Sequence, residues 1–166
     1  MSLGLFIVRV VVGLLMAAHG SQKLFRWFGG HGLAGTGGFF EALGFRPGRL
    51  FAAAAGAGEL TGGLLVTAGL FGPVGPAVVL SVMVVAAVSV HWHGVFAASN
   101  GVEIPLLYSV VATTLALTGP GEYSLDAVFG LTALWTPALG LMALIAGVAV
   151  AAVNLMLRAP QRVAVA

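Results

Sequence analysis

Six side chains in this sequence could take part in proton or anion chemistry and fall near the ends of apolar runs: His19, Lys23, Glu59, His91, His93 and Glu103. A seventh, Arg9, lies inside the first run, as Glu59 lies inside the second. Histidine changes charge near neutral pH, and a desolvated glutamate can hold a proton there, so such a set suits proton transfer to a bound small molecule. Lysine adds a point charge able to stabilise an anion. An ionisable group in hydrocarbon is costly and persists only when paired, hydrated or functional.

The background makes these residues conspicuous. Among 166 residues there are seven Lys or Arg and five Asp or Glu, against 60% apolar residues, and the mean hydropathy is +1.08. That composition excludes an ordinary soluble domain and calls for a lipid bilayer. The apolar runs are continuous rather than alternating, so helices and not a β-barrel are expected. The fold expected is all-α, a polytopic transmembrane bundle with a four-helix core and a fifth C-terminal span. Seven dispersed basic residues are too few for nucleic-acid binding. No cysteine is present, which excludes disulfides, thiol exchange and Cys-held iron–sulfur clusters. The first run begins at Leu3 with no basic stretch before it, so no cleavable signal is expected.

Five apolar segments position these residues, at about Leu3–Gln22, Leu50–Leu70, Val74–Trp92, Ile104–Thr118 and Pro137–Leu157. The fourth is shorter than the roughly 20 residues that cross a bilayer comfortably. Gly58 and Gly62 form a GxxxG pattern suited to close helix packing. The connection Lys23–Arg49 is rich in Gly and Phe and reads as a lid along the membrane interface, helical around Thr36–Leu43. His31 within it reads as solvated, and Trp92 as an interfacial anchor. Pro120 and its glycines end the fourth run, after which Ser124 can cap a short helix through Asp126. Lys23, Arg26, Arg46 and Arg49 flank the first connection, and Arg158 and Arg162 the C-terminus. The positive-inside rule then places both in the cytoplasm and the N-terminus outside.

Threading the spans up and down brings His19, Lys23, Glu59, His91, His93 and Glu103 to one membrane face, with Tyr123 and Asp126 at the other. Glu59 lies about nine residues inside its span, roughly 14 Å, and Arg9 differs from it in depth by about 6 Å at 1.5 Å per residue. Arg9–Glu59 is therefore the expected intramembrane pair, either as part of a site or simply locking two helices. His91 and His93 point in opposite directions on a helix and can share a ligand only if the helix ends there. A haem between His19 and His91 is the less favoured reading, because a lone interfacial His more often makes a hydrogen bond, and no metal site is assigned.

The sequence resembles the DoxX family of membrane proteins. The resemblance is carried by Arg9-x-x-x-Gly13, His19-Gly20-x-x-Lys23-Leu24, Phe39-Phe40, Leu43-Gly44-Phe45 and Gly58-Glu59. It continues through Gly94–Gly101, Glu103-x-Pro105-Leu106 and Gly119-Pro120-Gly121 to Asp126. It implies a small four-helix bundle, residues 1–134, in a bacterial or archaeal cytoplasmic membrane, with its N-terminus inside, the reverse of the charge bias. Residues 135–166 are then an added helix and basic tail. Relatives of this kind include subunits of a quinol oxidase and of thiosulfate:quinone oxidoreductase. The function expected is a redox-associated subunit binding a quinone or small oxidant, with His19, Lys23, Glu59 and His91 handling protons and charge. His19 again, with Arg9, His93 and Glu103, would hold the ligand, and electrons would come from a partner subunit. The alternatives are a non-catalytic assembly or anchoring subunit, docking a partner or a second copy, and a small-molecule carrier, which the lack of an inverted repeat disfavours.

Overall fold

The computed structural model describes residues 2–132 and 135–159. Within these residues seven α-helices follow one another: α1 (Ser2–Phe25), α2 (Gly32–Ala42), α3 (Gly48–Ala68), α4 (Val74–Ala86), α5 (Glu103–Thr118), α6 (Leu125–Val128) and α7 (Pro137–Met156). No strand occurs among the described residues. A π turn, Ala87–His91, extends α4. Among the described residues, four helices are long and apolar enough to cross a membrane: α1, α3, α7 and α4 with its π turn. The chain is a multi-pass membrane protein. The fourth predicted segment, α5, has 16 residues and a length of about 24 Å against a hydrocarbon thickness of about 30 Å. Arg162 lies outside the described residues.

Glycine sets the packing. On α1, Gly13 and Gly20 face α3, and on α3, Gly56 and Gly63 face α1. A Cβ at Gly13 would stand 2.6 Å from the Gly63 carbonyl oxygen, and one at Gly20 would stand 2.5 Å from that of Gly56. The two backbones are thus in direct contact, the closest packing that lipid-embedded helices can achieve. The GxxxG residues Gly58 and Gly62 face the other way, toward Val78, Val79 and Val82 of α4. Similarly, Gly147 of α7 abuts the Ala77 carbonyl of α4, and Gly140 that of Ala116 in α5. Met16, Val66, Val79, Leu80, Met83 and Leu115 fill the shared interior. Outward-facing Leu and Ile on α1 and α7 are exposed, as a lipid-solvated surface requires.

The helix ends follow local rules. At the end of α3, Gly69 adopts φ 63°, with its N–H on the Val66 carbonyl and the Leu70 N–H on that of Leu65. That pair of bonds is a Schellman cap, which favours glycine at the left-handed position. Ser124 caps α6 as expected, accepting from the Ala127 N–H at 3.1 Å, and Thr136 caps α7 ahead of Pro137. Pro47 offers α3 no side-chain cap, and the Glu41 carboxylate of α2 accepts from the Gly48 N–H instead, at 3.1 Å.

That bond also docks the lid. Gly37 and Gly48 allow α2 to lie on the start of α3. Phe45, 1% exposed, packs between Phe40 and Phe51, at ring distances of 5.6 and 5.2 Å. The far end of the chain closes over it. Arg158 donates from Nε to the Leu43 carbonyl at 2.5 Å and stacks over Phe45, and the Ala159 N–H bonds the Gly44 carbonyl. The first connection and the end of α7 therefore meet at one face, as the alternation of spans requires.

Candidate functional site

Helix α1 runs one turn past the expected end of its span, so Lys23 still projects from it toward α3. The glycine contacts fix which residues it meets. Gly20 is level with Gly56 and Leu60, and Lys23 and Leu24 pass over Gly56, where any side chain would obstruct them. Lys23 Nζ forms an ion pair with Glu59 Oε1. Glu59 is 2% exposed, and the lysine side chain is 28% exposed. One end of the pair thus lies in the bundle and the other reaches toward the membrane face. Glu59 Oε2 is buried and has no hydrogen-bond partner.

The expected Arg9–Glu59 pair does not form. Gly13 sits against Gly63 and Thr67, so Arg9 is level with Gly69, about ten residues or 15 Å along the axis from Glu59. The Arg9 guanidinium donates from Nη2 to the Tyr123 carbonyl and lies under Gly69 and Ser124. Its electrostatic partner is Asp126, which is fully buried and accepts from the Phe71 and Gly72 N–H groups at 2.9 and 2.7 Å. Arg9 and Asp126 belong to the opposite end of the bundle, where they hold the segment after α5 against α1 and the α3–α4 turn.

Beside Glu59 opens a cavity of 610 Å³ bounded by α3, α4 and α7 and covered by the lid. Phe39, Phe40 and Phe45 form its cover, and Ala54, Ala55, Gly58, Ala143, Ala146 and Gly147 leave its walls hollow. A cavity of about 150 Å³ holds one benzene ring, so this one accommodates a substituted ring with apolar extensions. Polar groups enter mainly toward the lid: Lys23, Glu59, Thr36, Ser89, His91 and Asn154.

Of the residues singled out from sequence, Lys23, Glu59 and His91 line this cavity. His91 also contacts the Asn100 carbonyl through Nδ1 at 2.9 Å. The others are placed elsewhere. His19 is exposed and packs edge-on against Tyr108 at 6.3 Å. His93 is exposed, although the helix does end at His91. Glu103 accepts from the Ala97 N–H at 2.7 Å and closes the loop before α5. Among the described residues, no three His, Asp or Glu side chains are grouped as metal ligands. Sequence reasoning missed Ser89, whose hydroxyl is buried and unpartnered, and the contribution of α7. A lone serine in an apolar run gives no signal unless a π turn is foreseen.

Residues 4–92, more than half of the chain, match the DoxX family model. The chain belongs to the DoxX family. The match spans α1 to the π turn and so contains Lys23, Glu59, Ser89 and His91, whereas the α7 wall of the cavity lies beyond it. The resemblance read from Gly94 through Asp126 also falls outside the matched residues. No curated protein and no solved structure is significantly similar to this DoxX family member.

Proposed function

We propose that this protein is a membrane subunit of a quinone-linked redox system and that its cavity binds the ring of a quinone or a similar small oxidant. The observation that carries the reading is the Glu59 carboxylate, buried in the bundle, paired on one oxygen with Lys23 and free on the other beside a 610 Å³ apolar cavity. An ionisable pair at this depth marks a functional site more often than a structural one when it borders a cavity of ligand size. The aromatic lid and aliphatic walls suit a flat apolar ring, and the polar groups at one end suit its oxygen substituents. Lys23, half in the bundle and half toward the face, supplies a route for protons between Glu59 and water. Electrons are exchanged with a partner subunit, and the membrane is the cytoplasmic one, with the lid side inward as the Arg and Lys distribution favours.

Saturable quenching of tryptophan fluorescence by a short-tailed benzoquinone, with the purified chain in detergent, tests this. Trp27, within the lid segment, and Trp92, next to the cavity residue His91, supply the signal. Binding should weaken about tenfold or more in Lys23→Met, the loss expected for a hydrogen bond from a charged donor. Linear, non-saturable quenching, unchanged by that substitution, would overturn the proposal and leave an anchoring subunit.

A further inference from the structure

Most hydroxyl groups within the membrane-embedded helices share one habit. Ser21, Thr61, Thr67, Ser109, Thr114 and Thr118 each donate to the carbonyl four residues earlier. That is the usual way to satisfy a hydroxyl in lipid. Ser89 makes no such bond. It lies in the π turn, where the backbone ladder shifts by one residue and frequently serves a site. Its Oγ is buried, without a partner, and on the wall of the cavity. Glu59 Oε2 is the second buried polar atom there with no partner, on a side chain only 2% exposed.

These two atoms ask different things of a ligand. A serine hydroxyl donates and accepts, so it can meet either a carbonyl or a hydroxyl group. A carboxylate ion-paired to lysine accepts only, and its free oxygen needs a donor. A fully oxidised quinone carries carbonyl oxygens alone, and placing one against Oε2 sets two acceptors facing each other in a low-dielectric site. Leaving Oε2 bare costs the desolvation of a charged group's lone pair. A ring bearing a hydroxyl group would supply the missing donor at Oε2, and its second oxygen is of either type that the serine on the same cavity can meet.

From this, and resting on the quinone reading above, we infer that the cavity selects the reduced, hydroxyl-bearing form of its ring, a hydroquinone or phenol, over the oxidised quinone. Glu59 sets the selectivity and Ser89 tolerates both forms. Preferential binding of the reduced form makes the bound ring easier to reduce than the free one. A tenfold preference corresponds to a rise of about 30 mV in the two-electron midpoint potential.

The experiment compares the purified full chain with a benzoquinone, its hydroquinone and the dimethyl ether of that hydroquinone, under argon. The ether keeps the ring and removes both donors. The hydroquinone should bind about tenfold or more tighter than either of the others, the discrimination expected when a charged acceptor gains or lacks its donor. Glu59→Gln should abolish the preference, because a carboxamide can turn its NH₂ toward a carbonyl, while Ser89→Ala should weaken both redox forms alike. Equal or tighter binding of the quinone by the unaltered chain overturns this inference and leaves the binding proposal standing. Binding of none of the three refutes the quinone reading and this inference with it. Because the decisive comparison needs no substitution, misfolding of a variant cannot decide the outcome.

Discussion

Removing one partner of the Lys23–Glu59 pair should damage the protein far more than removing both. Glu59 is 2% exposed and its single hydrogen bond is to Lys23. Lys23→Met therefore leaves an uncompensated carboxylate, or forces it to take up a proton, and stranding one charge of a buried pair costs about 3–5 kcal/mol. Lys23 is partly exposed, which puts the expected loss at the lower end, about 3 kcal/mol. In a chain of this length each kcal/mol moves the melting temperature by about 2–4 °C on the scale of soluble domains, so a drop of about 6–12 °C is expected. The double variant Lys23→Met with Glu59→Met should recover most of this, since replacing a buried ion pair by apolar side chains is often neutral or stabilising. The assay is a double-mutant cycle scored by thermal unfolding in one detergent. A parallel cycle on Arg9 and Glu59 should be additive within about 0.5 kcal/mol, as expected for groups separated by more than about 10 Å. Two mild, additive single changes at Lys23 and Glu59, or strong coupling between Arg9 and Glu59, would refute the reasoning.

Two further outcomes follow from the packing. Gly63→Ala should sharply reduce folded yield, because its Cβ would meet the Gly13 carbonyl oxygen at 2.5 Å, whereas Gly58→Ala should be mild, since its nearest neighbour is the Val82 side chain at 3.0 Å; size-exclusion recovery after solubilisation distinguishes them. Asp126→Ala should cost about 2–4 kcal/mol by removing the acceptor of the Phe71 and Gly72 N–H groups and the counter-charge of the buried Arg9, read as a lower melting temperature with benzoquinone quenching unchanged.

Much of this architecture was legible in the residues. The apolar runs located every long helix to within a few residues, and connectivity alone placed Lys23, Glu59 and His91 at one face. The pairing within the bundle was not legible, for a geometric reason. Arg9 and Lys23 are fourteen residues apart, close to four turns at 3.6 residues per turn, so both point toward α3 and periodicity cannot choose between them. What chooses is the axial register, set by Gly13 on Gly63 and Gly20 on Gly56, and that is a property of two helices together. Counting depth from the ends of apolar runs placed α1 too shallow, because its helix continues through polar Gln22 and Lys23. His19 sits four residues before Lys23, yet the cavity opens on the other side of α3, a matter of the third helix rather than of the first.

The latch between Arg158 and Leu43 joins residues 115 positions apart, and that separation has a consequence for biosynthesis. Lid, pair and π turn are all translated before the wall supplied by α7 and the clasp over Phe45. Until α7 has entered the membrane, the groove beside Glu59 lacks one of its walls and faces lipid there. The proposed ring site is therefore complete only once that helix is inserted, so saturable ring binding would report insertion of α7.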